Sequence, residues 1–569
     1  MTGASKRPAV NTRTHLNLLL PEVFNLDDRP VADEQGVAFP EFAIQRAVRI
    51  IDGDPEGAAN IAAMVVGWAA EDRGHPQAGR PAFVSLRSFL ILSLMHATTG
   101  EDTNLPQMAH TLAVRLDRDQ FDRIGLANDT ADFDVWYVRL HWARQTLLQL
   151  VDPQQPHATD ADVARRQSRL DDLMSAIVAN SALLSAHFAR DYVGDASLES
   201  VFIPTHETAS KAPTVHGQSR THTAGPYCRH QNNDHATRSK KRSTAQLGFE
   251  ADLLTVPLGN PDHGQALVLG LSLHRPGHLA NTATTLLSRY AKLGLPSRTL
   301  RIDQPLTHLR VEYFHEVVQR HQWALVWEYR PDDLGIQHHY TTGPTRTTGT
   351  RGDSPVKGGD VILIEGTWHR PDMPAGLNDA VKLNQPDTND VILVDGTWYL
   401  SFMPAELIDA VKLSQLDTSD PRWIDRDQLT TRLEQRKNYQ LSPVGPANKN
   451  GKQRYRLPDP DGYIAINPIT NEPLEKPRAK SVTIPVSEGL RWRQPFPYLS
   501  PQWQAANRHP YSTDSNRDSD SDGNSEDRAW DLTHAIQPHR RGYADTGIAL
   551  AMAVAAQNLR AIDRNEVPR

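Results

Sequence analysis

Two aspartates that lie far apart in the sequence have the residue type and the setting needed for metal chemistry. Asp195 stands in the segment YVGDASLES, and Asp303 ends the segment TLRID. If the fold brings the two carboxylates together, they repel each other unless cations lie between them. Two Mg²⁺ or Mn²⁺ ions about 4 Å apart would stabilise the pair and drive phosphoryl transfer. The opposing interpretation is that each Asp only ends a strand or caps a helix.

The elements around these aspartates follow a recognisable order. Three strand-like segments come first (SLESVFIPT, FEADLLTVPL and QALVLGLSLHR), followed by a helix, the strand TLRID, a second helix and the strand WALVWEYR. This is the order of the ribonuclease H (RNase H) fold, in which helices cover a mixed sheet and the first and fourth strands are neighbours. We therefore expect an α/β protein whose RNase H-like core begins in residues 189–335.

The first 188 residues predict an all-α region. From Phe39 to Phe188, apolar residues recur at spacings of three and four, as in amphipathic helices. Thr159, Asp160 or Asp162 could cap the helix that follows the DPQQP break. The segment LPQMAHTLAVRL is either part of a bundle core or half of a DNA-reading helix pair. A DNA-binding role is the expectation for this region.

Residues 336–500 predict an irregular, β-rich subdomain inserted into the core, and residues 501–569 return to the core. The insert contains a duplicated unit, whose copies span residues 360–388 and 390–418. Two copies are too few for a stacked repeat, so a local duplication on the surface is expected. The last part contains an acidic, serine-rich tract and a final alanine-rich helix whose apolar face should pack on the sheet.

Composition limits the partners and the compartment. The net charge of −7 argues against a uniformly basic nucleic-acid binder, so local charge has to decide. The single cysteine, Cys228, excludes an internal disulfide and a CxxC zinc site, which favours a reducing cytoplasm. No stretch reaches the roughly 20 apolar residues that span a bilayer. We expect a cytoplasmic protein with no membrane partner.

The connection between the first two strands concentrates positive charge. It contains six basic residues that could hold a phosphate backbone, if the connection leaves the sheet at the edge where Asp195 lies. These residues are Arg220, Arg229, Arg238, Lys240, Lys241 and Arg242. The alternative is a solvated charge run. The histidines in the same connection are irregularly spaced, which disfavours a zinc site.

An ordered series of phrases resembles a known family. The series includes GDAS, AGPYCRHQNNDH, LGFEADLLTV, LVLGLSLHRPGH, LRID, EYRPDDLGIQ, EGTWHRPDMPAGLNDA and RRGYADTGIALAMAVAAQNLRAI. From about Trp136 to the C-terminus, the chain is similar to the DDE transposases of bacterial insertion sequences, in particular an actinobacterial group. The resemblance implies an RNase H-like domain that cuts and rejoins DNA with Mg²⁺ or Mn²⁺. It is compatible with a homodimer on DNA.

The resemblance also assigns the metal ligands. Asp195 would be the first, Asp303 the second and Asp514 the third, with Asp518 and Glu526 as alternatives for the third. The chain departs from the family pattern here. Gln304 and Pro305 follow Asp303 where the family has a basic residue and an alanine, and the third acid lies in a poor helix former rather than on a helix. Together with the duplication, these departures suggest a degenerate copy. The second hypothesis is a catalytically dead DNA-binding protein derived from a transposase.

One further pattern competes for the acidic tract. Asp518, Asp520, Asp522 and Gly523 imitate the start of a calcium-binding loop. The position where a bidentate Glu belongs is Ala529, so a solvated linker is the favoured interpretation.

Overall fold

The computed structural model describes twenty stretches of the chain, and every structural statement below concerns these residues. They are 38–54, 57–73, 82–127, 130–155, 158–208, 225–227, 246–258, 266–275, 282–302, 304–307, 309–330, 333–341, 361–378, 382–383, 391–394, 397–400, 423–424, 426–458, 481–507 and 542–566.

The described residues form two compact units, and two long helices contribute to both. Residues up to Ser181, together with Gly542–Ala556, form a helical unit. The remaining described residues form a sheet unit. No helix of the described stretches is long and apolar enough to cross a membrane.

The helices are numbered in chain order. They are α1 (Glu41–Asp52), α2 (Ile61–Arg73), α3 (Leu86–Thr99), α4 (Leu105–Val114), α5 (Arg118–Ile124), α6 (Phe133–Val151), α7 (Asp160–Leu183), α8 (Ala186–Asp191), α9 (Thr282–Lys292), α10 (Gln304–Thr307), α11 (His315–Arg320), α12 (Ala375–Asn378), α13 (Arg426–Lys437), α14 (Pro501–Asn507) and α15 (Tyr543–Glu566).

The strands are numbered in the same way. They are β1 (Ala196–Thr208), β2 (Gly225–Tyr227), β3 (Gln246–Pro257), β4 (Ala266–His274), β5 (Thr299–Ile302), β6 (Ala324–Val326), β7 (Ile336–Tyr340), β8 (Val361–Ile364), β9 (Thr367–His369), β10 (Lys382–Leu383), β11 (Val391–Val394), β12 (Thr397–Leu400), β13 (Trp423–Ile424), β14 (Ser442–Pro443), β15 (Lys452–Arg456) and β16 (Ser481–Pro485).

The helical unit confirms the expected N-terminal helices, and polar side chains fix several of their ends. Helix α3 lies in the centre of the unit, because every residue from Ser88 to His96 is buried. Its N-cap Ser85 accepts a hydrogen bond from the Ser88 N–H. Of the three caps proposed for α7, the structure uses Thr159, whose hydroxyl accepts from the Asp162 N–H at 3.2 Å. These caps satisfy N–H groups that have no partner within the helix.

Helix α4 packs as part of the bundle core. Met108, Ala109 and Leu112 are almost completely buried on one side of it. A recognition helix would have to present a polar face to the DNA groove. Val114 is the only exposed residue of α4, so the helix has no exposed polar face of this kind and agrees with the bundle-core interpretation of its sequence.

The main sheet of the sheet unit is mixed, as expected. Strand β3 pairs antiparallel with both β1 and β4, and β5 and β6 extend the sheet on the other side of β1 in the parallel sense. The resulting order is β4, β3, β1, β5, β6, with the short β2 also pairing with β3. The prediction that the strands SLESVFIPT and TLRID are neighbours is confirmed, because β1 lies directly beside β5.

The final helix contributes to the sheet by a buried amide. Asn558 of α15 is completely buried, and its side chain bonds both backbone groups of Val268 in β4, at 2.8 and 2.9 Å. Among the described strands β4 pairs with β3 alone, and the amide satisfies backbone groups of Val268 beside the register shift between Leu254 and Thr255. The alanine-rich part of α15, up to Ala556, belongs to the helical unit, and only the part from Gln557 onward belongs to the sheet unit. The expectation that the alanine-rich face packs on the sheet is therefore not confirmed.

Residues 336–500 contain two three-stranded sheets with a common core. Strands β7, β8 and β9 form one, and β14, β15 and β16 form the other. Val361, Leu363, Trp368, Tyr455 and Ile484 belong to a single hydrophobic cluster that joins both sheets. The sheets stabilise each other because neither is large enough to bury its apolar face alone.

The turn between β8 and β9 is unusual in its backbone and its charge. Glu365 and Gly366 both have positive φ, 43° and 96°. The Glu365 carboxylate lies 2.5 Å from an Arg436 Nη, and both side chains are buried. The N–H of Gly335 donates to the other carboxylate oxygen at 3.3 Å. A buried, hydrogen-bonded ion pair therefore holds a non-glycine residue in the left-handed region.

Candidate functional site

Asp195 lies at the point where the chain enters the main sheet. Gly194 precedes it with φ of 100°, and a Cβ there would come within 2.9 Å of the Pro296 carbonyl oxygen. The Arg298 N–H donates to the Gly194 carbonyl at 2.8 Å. Only glycine fits this close approach, so the turn is fixed against the segment that leads into β5.

The Asp195 carboxylate is engaged by that same segment. One oxygen accepts from the Thr299 N–H at 3.2 Å, and the other lies 3.5 Å from an Arg298 Nη. The Asp195 side chain is about a quarter exposed and that of Arg298 is mostly exposed, so solvent weakens the ion pair. In this position Asp195 behaves as the residue that joins β1 to the start of β5.

The register of the parallel pair sets the level of Asp195 in the sheet. Ala196 pairs with Leu300 and Leu198 pairs with Ile302, so Asp195 lies at the level of Thr299. Ile302 is the last described residue of β5 and lies three residues further along. At a rise of about 3.3 Å per residue, this separates the two levels by roughly 10 Å. Asp195 thus lies at the amino end of the pair, and β5 leads toward position 303 at the other end.

Two tyrosines, Tyr192 and Tyr290, lie near enough to Asp195 for its charge to affect their pKa values. The hydroxyl groups of Tyr192 and Tyr290 are hydrogen-bonded at 2.9 Å. Burial, with a smaller contribution from the charge of Asp195, raises the pKa of Tyr290 to about 12. Burial and then the hydrogen-bonded Tyr290, with the smallest contribution from Asp195, raise the pKa of Tyr192 well above its ordinary value. Both hydroxyls are therefore neutral at physiological pH and act as hydrogen-bonding groups.

Glu199 is the acidic residue of β1 at the carboxyl end of the parallel pair. It directly follows Leu198, the last residue of β1 paired with β5. It is buried, with 3% of its surface exposed. Glu199 was not among the acids expected from the sequence, although it is the second acid of the segment GDASLES.

A second polar cluster is buried across β1, β3 and β4. Ser200 pairs with Asp252, and Glu250 pairs with His274, so these side chains share one face of the sheet. The Ser200 hydroxyl donates a short hydrogen bond to Asp252, which is completely buried. His274 lies 3.3 Å from Asp252 and 3.8 Å from Glu250.

The charges of this cluster decide the protonation of His274. Burial by itself would lower the pKa of His274, but Asp252, the Arg275 carbonyl and Glu250 together raise it above the ordinary value. The cluster can therefore hold a proton inside the sheet. The sequence signal was the alternation of Glu250 and Asp252 in FEADLL, which places both on one face.

The described residues by themselves do not make up a metal site. None of them forms a group of three His, Cys, Asp or Glu side chains that could hold an ion. His274 presents different ring nitrogens to Asp252 and Glu250, so one ion cannot bind all three groups.

The chain matches no protein-family model and no curated protein.

Most of the expected site lies outside the described residues. This applies to the second metal ligand Asp303, to the third in each of its alternatives and to all six basic residues of the connection between β1 and β3. The residues concerned are Asp303, Asp514, Asp518, Glu526, Arg220, Arg229, Arg238, Lys240, Lys241 and Arg242. Their assignments stay predictions.

The helix that leads toward the third acid has a defined position. Trp503 of α14 is buried, and its ring N–H donates to Gln494 at 2.8 Å. Gln494 in turn bonds the backbone of Trp327, directly after β6. Helix α14 also contacts β5 and β6. The acidic tract therefore follows a helix that packs beside the strand leading to Asp303.

Proposed function

We propose that this protein is a DDE-type transposase-like enzyme that cleaves and joins DNA strands with Mg²⁺ or Mn²⁺. One observation supports it above the others. The main sheet has three antiparallel strands followed by two parallel ones, in the order β4, β3, β1, β5, β6, which is the order expected of an RNase H-like core. In such a sheet, acidic residues on β1 and at the end of β5 can share metal ions.

The register sharpens the choice of the acid on β1. The family resemblance assigns Asp195, which lies at the level of Thr299 and is engaged by Thr299 and Arg298. Glu199 follows the Leu198–Ile302 pair and is the acid of β1 nearest the end of β5. In this proposal Asp303 and one of these two acids hold the first ion, and Asp514 completes the set. The bound ions would activate the attacking water or 3′-hydroxyl and stabilise the leaving oxygen.

A strand-cleavage assay tests the proposal. The wild-type protein, Asp195→Asn, Glu199→Gln and Asp303→Asn are incubated with Mg²⁺ or Mn²⁺ and a DNA fragment carrying the ends that flank the gene. We expect the wild type to nick or join the ends, Asp303→Asn to be inactive, and one of the two β1 variants to be inactive. Cleavage by all three variants at the wild-type rate would refute the proposal.

The alternative is a DNA-binding protein without catalysis. The position of Asp195 favours it, because that carboxylate is already bound at the amino end of the parallel pair. In this case the wild-type protein retards the DNA ends in a gel but leaves both strands intact with either metal. The same set of reactions therefore separates the two functions.

A further inference from the structure

The three-stranded sheet β14–β15–β16 carries a row of positive charge on its outer face. Along β15, the side chains of Lys452, Arg454 and Arg456 are exposed, and those of Gln453 and Tyr455 between them are buried. Alternate residues of a strand lie about 7 Å apart on the same face. We define Lys452, Arg454 and Arg456 as the basic row.

The strand that carries the basic row is firmly held from beneath. Tyr455 belongs to the core that joins the two insert sheets, and its hydroxyl accepts from Arg493 at 3.1 Å. The Gln453 side chain donates to the Gly445 carbonyl at 2.9 Å. The three cations are therefore presented by a rigid strand, which reduces the entropy lost when they bind a ligand.

No acid neutralises the basic row within the described part of the sheet. Its partners on β16 are Pro485, Thr483 and Ser481, and Ser442 of β14 also lies opposite Arg456. None of the three cations forms an ion pair with a described residue, and Arg454 donates only to the Ser481 hydroxyl, at 3.1 Å. The acid that follows β16, Glu488, is bound by His338 at 3.0 Å.

We propose that the basic row and its flanking hydroxyls bind the sugar-phosphate backbone of a nucleic acid. Phosphates recur regularly along a strand, as the cations do along β15, and arginine binds phosphate through two parallel hydrogen bonds. The hydroxyls of Ser442, Ser481 and Thr483 are of the kind that donate to phosphate oxygens. Lys449, exposed in the turn before β15, adds a fourth cation at the end of the row.

The chemistry of this face favours nucleic acid over two other anionic partners. A membrane surface would require aromatic or aliphatic side chains that insert between lipids, and β15 exposes only cations. An acidic peptide would gain its affinity from apolar pockets beside the charges, whereas two of the three residues opposite the row on β16 are the hydroxyl residues Thr483 and Ser481. The binding is expected to be independent of sequence, because backbone contacts carry no base information.

The basic row would give the DNA a second contact with the protein. This role in strand cleavage rests on the proposed function. Its test measures binding separately from cleavage. Fluorescence anisotropy of a labelled duplex and a labelled single strand of mixed sequence is recorded over a salt series with the full-length protein.

The test variant is Lys452→Gln/Arg454→Gln/Arg456→Gln. We expect it to bind at least about tenfold more weakly, with a salt dependence reduced by about two to three phosphate contacts. The matched control is Lys292→Gln/Arg320→Gln/Lys437→Gln, which removes the same charge from exposed positions on three helices. The control should bind like the wild type. Arg454→Lys/Arg456→Lys keeps the charge and should keep most of the salt dependence.

Unchanged binding by the test variant, with a wild-type circular dichroism spectrum, overturns the assignment. So does a wild-type protein that binds phosphatidylserine vesicles or a polyglutamate peptide through the row but no nucleic acid. If the wild type cleaves DNA and the test variant binds normally, the assignment of the basic row is wrong and the proposed function stands. If the test variant loses DNA binding and the wild type never cleaves, the surface stands and the catalytic proposal fails.

Discussion

The two copies of the duplicated unit form the same hairpin. In the first copy Ile362 pairs with His369 and Ile364 with Thr367. In the second copy the pairs are shifted by one repeat length and are otherwise identical, so Ile392 pairs with Tyr399 and Val394 with Thr397. In both copies the repeated sequence thus forms the same two strands in the same register.

The surroundings of the two hairpins differ. In the first copy, β7 adds a third strand and Glu365 makes the buried pair with Arg436, whereas the described residues pair β11 with β12 alone. Within the first copy, the buried Arg370 also forms an ion pair with Asp372 at 2.7 Å. In the second copy the corresponding residues are Leu400 and Phe402. Local sequence fixes the hairpin, and partners elsewhere in the chain fix what the hairpin supports.

The largest difference between the copies should follow from the ion pair. Arg436→Met leaves the Glu365 carboxylate buried without its counter-charge, and we expect a loss of about 3–5 kcal/mol in the free energy of unfolding. Urea unfolding followed by tryptophan fluorescence measures it. The control is Asp395→Ala at the corresponding turn position of the second copy, expected to cost less than about 1 kcal/mol. Equal losses in both variants would remove the distinction between the copies.

The turn of the first copy should be nearly as sensitive. Gly366→Ala places a Cβ in a left-handed conformation and 2.9 Å from the Gln494 Cβ. We expect a loss of about 2–3 kcal/mol, from backbone strain and from the clash with Gln494. Gly396→Ala in the second copy is the matched variant and should cost less. Urea unfolding checks this: we expect the lower unfolding midpoint for Gly366→Ala, and equal midpoints would contradict the prediction.

The copies should also differ in their response to acid. Burial, and then the charge of Arg436, lowers the pKa of His369 to about 3, so this histidine stays neutral in the folded protein below its ordinary value of 6.5. Stability from this group is fully present above pH 6.5 and is lost as the pH falls toward 3, because the unfolded chain binds the proton first.

The loss is about 1.4 kcal/mol per pH unit, or roughly 2 kcal/mol at pH 5. His369→Gln should remove this part of the pH dependence, and comparison with the wild type cancels the other buried histidines. In the second copy a tyrosine, Tyr399, takes the equivalent position in place of a histidine. Parallel stability curves for the variant and the wild type between pH 7 and pH 5 would contradict the assignment.

The smallest effect should come from removing the second copy. Deleting residues 389–418 joins Thr388 to Ser419 and recreates the junction that Thr418 makes in the natural chain. Because loop length enters the free energy only logarithmically, we expect the unfolding free energy to change by less than about 1 kcal/mol. A chain that no longer folds, as judged by circular dichroism, would show that the second copy carries part of the core.

The order of the strands in the main sheet was predictable because most of these strands have a recognisable local sequence pattern. The apolar runs of β3 and β4 and the short β5 were identified from composition and flanking residues, and the structure confirms them at nearly the same bounds. The strand β15 was missed, because KQRYR contains no apolar run and has only one aromatic residue. Its alternation of buried and exposed residues appears only when a second sheet covers one face.

The candidate site was less predictable than the sheet. Asp195 and Asp303 were paired because they flank neighbouring strands, and that adjacency of β1 and β5 is confirmed. Neighbouring strands can still pair in different registers, however. The observed register of β1 and β5 places Asp195 beside Thr299, at the amino end of the pair. A shift of four residues along a strand moves a side chain by roughly 13 Å, so the pairing of either β1 acid with Asp303, which lies outside the described residues, stays a prediction.

Local residue patterns are enough to define the helices of this protein with their caps, its strands, and a hairpin that the chain forms twice. These depend on residue periodicity and turn chemistry within a few positions. The folded chain is needed to show which acid of β1 lies toward the end of β5, which hairpin receives a buried ion pair, and that Lys452, Arg454 and Arg456 face solvent together. Those properties depend on register and burial, which arise from contacts between residues far apart in the chain.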